Sequence, residues 1–145
     1  MTVFDIETDG LLDDLTKIHV LSYSYDGKEV VSTGDYDEMR EFFETHQYLV
    51  GHNIILFDIP AVEKVLGIKV KARLVDTLAL SWYVNHHRTK HGLEGYGEDY
   101  GVPKPVIKDW DSLTYEEYAH RCSEDVRINY RLWTDLKMKL KRLYG

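Results

Sequence analysis

Val3-Phe4-Asp5-Ile6-Glu7 places two carboxylates, separated by one residue, in an apolar and β-branched run. The run is too short for a stable helix and is closed by Thr8-Asp9-Gly10, so we predict a buried strand over residues 2–7. Side chains at positions i and i+2 of a strand lie on the same face, so Asp5 and Glu7 project together from its carboxyl end. An ionised carboxylate in an apolar segment is costly to desolvate unless a cation compensates it. This stretch therefore predicts a strand that carries a charged site.

Beyond this strand the sequence predicts a mixed α/β order in a single domain. Residues 17–25 alternate, and Asp26-Gly27 indicates a hairpin before Glu29-Val30-Val31, so the first three strands form a meander. The later predicted elements are a helix after Asp35, a strand at 48–51, a helix at 57–66, a strand at 70–75, a helix from about 77, a helix near 93–100 and a long final helix in the region that begins at Thr114. We therefore expect an α/β fold over residues 1–145, in which a mixed five-stranded sheet, a three-strand meander followed by parallel strands, is flanked by helices.

Length and composition are those of one soluble domain. With 145 residues the chain can bury a substantial core without disulfides, and its one cysteine, Cys122, has no partner within the chain. No apolar run approaches the roughly 20 residues that cross a bilayer, and the start lacks a signal-peptide pattern, so we expect a cytoplasmic protein without a membrane partner. The net charge of −7 argues against a generic nucleic-acid-coating surface. That argument weakens if several of the acids bind metal ions.

Two further acids follow apolar or helical segments. Asp58 ends the run Asn53-Ile54-Ile55-Leu56-Phe57-Asp58, and Asp125 ends His120-Arg121-Cys122-Ser123-Glu124-Asp125. If both join the first two acids at the carboxyl end of the sheet, where ligand sites of open α/β folds gather, the four carboxylates repel unless cations compensate them. Mg²⁺ and Mn²⁺ prefer oxygen ligands, and paired ions of this kind assist in-line phosphoryl displacement. The sequence therefore predicts a two-metal site, and no cysteine–histidine spacing suggests zinc.

His120 adds a proton acceptor that metal-bound carboxylates cannot supply, because imidazole titrates near neutral pH. On a continuous helix the five residues from His120 to Asp125 correspond to about 140° of rotation. The two side chains therefore share a site only if the helix breaks or begins between them. Cys122-Ser123 offers such a place, with Ser123 as the cap and Asp125 in the first turn.

The three segments resemble the motifs of a known enzyme family. The segments are Asp5-Ile6-Glu7-Thr8, Asn53-x3-Phe57-Asp58 and His120-x4-Asp125. In order and separation they are similar to the three motifs of the DEDD 3′→5′ exonucleases, which have a ribonuclease-H-like fold. With Val75-Asp76-Thr77-Leu78 and His91-Gly92-Leu93-Glu94, they most resemble the proofreading domains of phage and bacterial family-A DNA polymerases. Those domains usually have tyrosine four residues before the last aspartate, where this chain has Arg121. His120 instead matches the histidine variant, DEDDh, of epsilon-type proofreading subunits and ribonuclease T-like enzymes.

The resemblance implies an activity and a role for each matched residue. It implies a 3′→5′ exonuclease that uses two Mg²⁺ or Mn²⁺ ions to remove nucleoside 5′-monophosphates from single-stranded or frayed DNA ends. It also implies a bacterial or phage-infected cell and a DNA polymerase as a partner. The implied metal ligands are Asp5, Glu7, Asp58 and Asp125, and the implied general base is His120. The implied substrate contacts are Thr8, Leu11 or Leu12 as an apolar wedge, and Asn53 and Phe57 beside the scissile end.

Other interpretations of the same residues stay open. An RNA exonuclease of this fold needs the same motifs, because the sequence does not show which groups approach the 2′-position. A non-catalytic end-binding or polymerase-docking module would keep the fold, but the loss of an acid would be its signature and all four are present.

Asp76 is predicted to cap a helix. The tryptophans at 82, 110 and 133 are predicted to be core residues rather than base-stacking platforms.

Overall fold

The computed structural model describes residues 1–102 and 112–145. Within them the strands are β1 Thr2–Thr8, β2 Ile18–Ser24, β3 Val31–Thr33, β4 Tyr48–Gly51 and β5 Arg73–Asp76, in the sheet order β3-β2-β1-β4-β5. The helices are α1 Tyr36–Thr45, α2 Ile59–Leu66, α3 Thr77–Val84, α4 Leu93–Tyr100 and α5 Tyr115–Tyr144. The predicted α/β class and the mixed five-stranded sheet are confirmed. None of the helices described combines the length and apolar character that crossing a membrane requires.

The central strand β1 extends beyond its pairing with β4. It pairs antiparallel with β2 from Val3↔Ser24 to Thr8↔Ile18, but parallel with β4 only at Thr2↔Leu49 and Val3↔Val50. The carboxyl half of β1 therefore has backbone groups on the β4 side that meet other partners. This divergence of two parallel strands makes the opening in which the acidic side chains lie.

Side chains of β1 alternate between two cores, one on each face of the sheet. Phe4 and Ile6 pack in the larger core with residues of α1 and α2, whereas Val3 packs on the opposite face with Val126 of α5. Because positions i and i+2 share a face, the two acids of β1 follow Val3 onto the face that α5 covers. The predicted projection of both carboxylates to one side of the sheet is confirmed.

The last helix, α5, is continuous and does not break at Cys122-Ser123, the place where a break would let His120 and Asp125 share a site. The helix begins at Thr114, which forms the predicted capping box with Glu117, and continues for 30 residues. Ser123 does not cap it and instead shares a hydrogen bond with Ser32 at 3.2 Å. The helix persists because its buried residues recur at helical spacing and pack on the sheet or, towards the end of the helix, on α3 and α4: Cys122, Asp125, Val126, Ile128, Asn129, Leu132, Trp133 and Leu136.

Other differences from the predicted elements are small and have local causes. The hairpin turn is longer than predicted because the Asp26 carboxylate accepts from the backbone of Lys28 and Glu29, so β3 begins at Val31. The second helix is preceded by a π-helical turn, Ile54–Asp58, which widens the chain immediately before α2. Such turns occur often at functional sites, and this one places Asp58 at the sheet opening.

Candidate metal centre

Asp5 and Glu7 lie on the carboxyl half of β1, where the strand bulges. The register with β2 shifts between Glu7 and Thr8, so His19 of β2 is an extra residue opposite them. Bulges re-aim side chains and are common beside active sites. The extra residue, His19, stacks on Tyr118 of α5 with ring centroids 4.0 Å apart, which fixes the start of α5 against the sheet. The bulge therefore both orients the acids and positions the helix that faces them.

Cys122 completes a compact group with these acids. One potential ligand atom each from Asp5, Glu7 and Cys122 lies within 4.8 Å of the others. The Cys122 Sγ is 3.6 Å from Asp5 Oδ2, and burial and the charge of Asp5 raise the pKa of this thiol well above its usual range. The thiol therefore stays protonated and donates to Asp5, and a neutral thiol is a poor ligand for a hard cation. No pattern in the sequence indicates that Cys122 donates to Asp5, because a lone cysteine belongs to no motif.

Asp58 is buried, 5% exposed, at the opening between β1 and β4. Its carboxylate accepts a hydrogen bond from the Ile6 backbone N–H, which β4 does not reach. Burial raises the pKa of the Asp58 carboxyl well above its usual range; the bond from Ile6 opposes the rise, and the charges of Asp76 and Glu7 add to it. The second oxygen, Oδ2, is buried and receives no hydrogen bond from any described residue. A buried carboxylate oxygen in this condition needs a cation or a proton.

Asp125 approaches from α5, one turn beyond Arg121, and it is also 5% exposed. Its charge acts on Cys122 together with the charges of Asp5 and Glu7, so the four acids lie at one end of the sheet. In the described part of the chain, Asp58 and Asp125 lie outside the group whose ligand atoms are all within 4.8 Å of one another. The structure therefore brings the acids around one opening, with Asp58 and Asp125 at its sides rather than in the compact group.

This donor set fits divalent cations. Carboxylate oxygens are the ligands that Mg²⁺ and Mn²⁺ prefer, and the buried Asp58 Oδ2 without a hydrogen-bond donor is an acceptor suited to a cation. Positive charge is also the means by which closely spaced carboxylates all stay ionised. Asp5, Glu7, Asp58 and Asp125 could thus hold metal ions in this opening, with Cys122 as a hydrogen-bond donor behind Asp5.

The two residues at the start of the third motif lie differently from each other. His120 is exposed on the continuous helix, about 140° around from Asp125. Arg121 is directed inward, and its Nε lies 3.6 Å from Glu7 Oε1, with both side chains 18% exposed. The structure thus places an arginine beside the acids where the resemblance to polymerase domains calls for tyrosine. Tyr118, seven residues before Asp125, packs on His19.

The loop after β1 holds the residues predicted to contact the substrate. Thr8 donates to Gly10 O at 2.8 Å, and Asp9 accepts from the Thr16 backbone and hydroxyl, which fixes the loop at both ends. Leu11 is 76% exposed, whereas Leu12 packs against the larger core. Of the two leucines predicted as a wedge, only Leu11 therefore has a side chain available to a substrate.

Asp76 organises the second motif as well as capping α3. Its side chain accepts from Leu78 N, the predicted cap, and also from the backbone N–H groups of Asn53 and Ile55. Asn53 adopts a left-handed conformation, φ 61°, which asparagine tolerates better than most residues, and it turns the chain into the π-helical segment. The second role of Asp76 was missed, because a cap signal does not reveal partners 23 residues away.

Several apolar side chains on the π-helical turn and on α3 are exposed. Ile55 and Leu56 lie on the π-helical turn, with Phe57 partly buried against the core. Trp82 is 56% exposed and stacks on His91, so its prediction as a core residue is wrong, whereas Trp133 is buried as predicted. Trp110 lies outside the described residues. The exposure of Ile55, Leu56 and Trp82 has no signal in a single sequence, because apolar side chains there are consistent with a core.

Comparisons with known proteins give a family and a fold. Residues 2–126 match the family model described as RNase_H superfamily. No sequence among the curated proteins matches this chain significantly. The match spans β1 and all the candidate metal ligands, from Asp5 to Asp125.

Solved structures of nucleases share the fold. NrnC of Brucella melitensis with bound Mg²⁺ superposes with a TM-score of 0.77 at 18% identity, over 97% of this chain and 73% of NrnC, and the same protein is also known bound to pGG. Exonuclease X in complex with 5′-overhanging duplex DNA superposes with a TM-score of 0.64 at 15% identity, over 94% of this chain and 90% of Exonuclease X. E. coli Exonuclease I in complex with a dT13 oligonucleotide superposes with a TM-score of 0.66 at 11% identity, over 99% of this chain and 42% of Exonuclease I. At these identities the likeness concerns the fold.

Proposed function

The chain belongs to the RNase_H superfamily, and on that basis we propose that it is a metal-dependent 3′→5′ exonuclease. Its proposed substrates are the 3′ ends of single-stranded or frayed DNA, from which it releases nucleoside 5′-monophosphates. The observation that carries the proposal is the meeting of four acids from three separate segments at one opening of the sheet, with a buried Asp58 oxygen that no described residue satisfies. A purely structural role does not account for this arrangement, because uncompensated buried carboxylates destabilise a fold.

In this proposal Asp5, Glu7, Asp58 and Asp125 hold two divalent ions, Mg²⁺ or Mn²⁺. Such ions, when bound, activate a water molecule and stabilise the charge that develops on the phosphate. The protein keeps the ligands in place: Cys122 donates to Asp5, the Ile6 backbone donates to Asp58, and α5 carries Asp125 against the sheet. These contacts set the ligand positions before a substrate arrives.

His120 is proposed to be the general base, which assigns the chain to the DEDDh subclass. Its imidazole is exposed. Because α5 is continuous, His120 lies on the exposed side of the helix, about 140° around from the buried side that carries Asp125. The proposal therefore requires the His120 side chain to reach around the helix to the attacking water at the opening.

Substrate contacts are proposed for the loop and turn that border the acids. Leu11, on a loop fixed by Asp9, inserts as the apolar wedge beside the terminal base, with Thr8 and Leu12 in support. Asn53 and Phe57 border the scissile end from the π-helical turn. Exposed apolar side chains suit base faces, on which stacking does not depend on sequence.

A second candidate substrate is RNA or a very short oligonucleotide. It is favoured by the similarity to NrnC, which is known bound to pGG. The DNA assignment is supported by Exonuclease X, in complex with overhanging duplex DNA, and by Exonuclease I, in complex with dT13. The acids serve both substrates, so the two candidates differ only in the groups that meet the sugar.

The decisive experiment digests matched 5′-labelled DNA and RNA oligonucleotides, and a dinucleotide, with Mg²⁺, Mn²⁺ or chelator. We expect stepwise shortening of DNA from the 3′ end, release of nucleoside 5′-monophosphates, and no reaction with chelator. Faster hydrolysis of RNA or of the dinucleotide would replace the DNA assignment by the second candidate. Activity that survives chelation would contradict the metal mechanism, and binding without hydrolysis would indicate a non-catalytic module.

A further inference from the structure

Arg121 introduces a positive charge into the group of acids from within the chain. Its Nε lies 3.6 Å from Glu7 Oε1, and both side chains are largely buried. Glu7 also lies close enough to Asp58 to influence its ionisation, and its ligand atom belongs to the compact group with Asp5 and Cys122. The Arg121 guanidinium therefore compensates the charge of Glu7, the carboxylate that lies close to both Asp5 and Asp58.

The same carboxylate is one of the proposed metal ligands. A guanidinium is always ionised and cannot lose its charge when a metal ion arrives. A divalent ion and Arg121 are like charges that share the one Glu7 carboxylate, and like charges placed together at a buried site destabilise each other strongly. The ion pair and a metal ion bound at Glu7 therefore oppose each other.

We propose that Arg121 is a positioning residue that holds Glu7 in the metal-free protein and competes with divalent ions for it. This inference rests on the proposed metal site. Metal binding then includes the opening of the Glu7–Arg121 ion pair, and the protein requires a higher metal concentration than an equivalent site without this arginine. In the metal-free protein, the arginine stabilises the fold by relieving repulsion among the acids.

Direct binding of Mn²⁺ tests the inference without any activity measurement. The free Mn²⁺ is measured by electron paramagnetic resonance in titrations of the full chain, wild type against Arg121→Gln, Arg121→Lys and Arg127→Gln. Arg127 is the matched control, because it lies on the same helix, is more exposed than Arg121, and pairs with Glu124 at 2.9 Å rather than with a proposed metal ligand. An Asp5→Asn variant identifies the part of the binding that belongs to this site.

We expect Arg121→Gln to bind Mn²⁺ about tenfold or more tightly than wild type, since a like charge is removed. Arg121→Lys and Arg127→Gln should stay near the wild-type dissociation constant. Melting followed by circular dichroism should show that metal-free Arg121→Gln melts below wild type and gains more from Mn²⁺, which also confirms that the variant folds.

Three results would overturn the inference, and they separate it from the proposed function. In the first, wild type binds Mn²⁺ saturably and Asp5→Asn removes that binding, but Arg121→Gln binds Mn²⁺ no more tightly than wild type. This result contradicts the competition and leaves the metal site standing. The same gain in Arg127→Gln as in Arg121→Gln reduces the effect to general charge and also contradicts it. The absence of saturable binding in both the wild type and Arg121→Gln overturns the metal site, and with it the proposed function and this inference.

Discussion

The acidic opening and the polar network beneath α3 and α4 are both partly buried, yet they are satisfied in opposite ways. At the opening, four acids converge and a buried Asp58 oxygen receives no hydrogen bond from the described residues. In the network, a chain of hydrogen bonds runs from the Lys139 ammonium to His91, and each polar group in it has a partner. The first region is costly in the metal-free protein, and the second is not.

With a neutral His91, the direction of each hydrogen bond in the network follows from its two ends, because the Lys139 ammonium only donates and the Arg88 carbonyl only accepts. The Lys139 ammonium donates to Asn85 Oδ1, so the Asn85 amide donates to the Tyr96 hydroxyl. The Tyr96 hydroxyl then donates to Ser81, and Ser81 donates to His91 Nδ1. The chain ends where His91 Nε2 donates to the Arg88 carbonyl.

The difference separates structural from functional polarity. A serine, a histidine and a tyrosine within hydrogen-bond distance resemble a catalytic group, but a chain in which every group is paired has no capacity left for a substrate. The opening has such capacity because its acids have charge that the fold compensates only in part. Incomplete satisfaction, rather than residue type, marks the site.

The largest expected effect removes a ligand from the opening. Asp5→Ala should abolish detectable hydrolysis, because Asp5 belongs to the compact group of ligand atoms. Asp37→Ala, an exposed acid that pairs with Arg40 on α1, is the matched control and should retain wild-type rates. Gel assays of a 5′-labelled oligonucleotide measure both. Full activity in Asp5→Ala would contradict the functional role assigned to the acidic opening.

The next effect concerns the proposed base. His120→Ala should lower turnover by about 10²-fold or more, the usual size of general-base catalysis, without a change in metal binding. His86→Ala removes another exposed histidine, far from the acids in sequence, and serves as control. The measurement is single-turnover hydrolysis in Mg²⁺. Equal rates for the two variants would return proton transfer to solvent or to another residue.

The network should respond in stability rather than in activity. Ser81→Ala leaves His91 Nδ1 without its donor and Tyr96 without its acceptor. The free energy of unfolding, measured with urea, should therefore be about 1–3 kcal/mol lower than in wild type. Thr89→Ala in the neighbouring exposed loop should cost little. The per-molecule rate of the folded Ser81→Ala protein should stay near wild type. A selective loss of turnover with unchanged stability would make the network part of the catalytic machinery.

The smallest effect is a gain in stability at the opening. Burial raises the pKa of Asp58 in the folded protein, so the folded state binds this proton more tightly than the unfolded state does. The free energy of unfolding of the metal-free protein therefore falls as pH rises above about 3.9, the value for an unfolded aspartate, until the folded carboxyl has lost its proton.

Asp58→Asn cannot ionise, so its melting temperature in chelator should exceed that of wild type by several degrees at pH 7. The excess should shrink as the pH is lowered towards 4, because wild type then regains the proton. Melting curves across this pH range measure it. A difference that does not change with pH would mean that the carboxylate is compensated in the metal-free protein.

Much of the fold was predictable because its signals are local. Asp35 and Asp76 cap α1 and α3, Thr114 and Glu117 form the capping box of α5, and the five strands occur in the predicted order. Each of these depends on neighbours within a few residues. The bounds of β3 and β5 were less well predicted, because strand ends depend on the partner strand and on side chains such as Asp26 that lengthen a turn.

The candidate site was predictable in its residues but not in its contacts. The placement of Asp5 and Glu7 on one face follows from strand geometry. The donors that hold Asp5 and Asp58 come instead from a distant part of the chain or from a backbone N–H that β4 does not pair. Cys122 donates across 117 residues of sequence, and Ile6 donates because β4 diverges. No local pattern encodes either contact, and the same is true of Arg121 beside Glu7.

The sequence by itself determined the α/β order, the shared face of Asp5 and Glu7, and the acids that a divalent cation requires, since periodicity and charge in an apolar run are local properties. Only the tertiary structure decided that α5 is unbroken, so that His120 lies outside and Arg121 inside. A helix continues or breaks according to what its buried face packs against, and that surface exists only once the sheet has formed. The charge balance of the opening is therefore a property of the packed protein rather than of any motif.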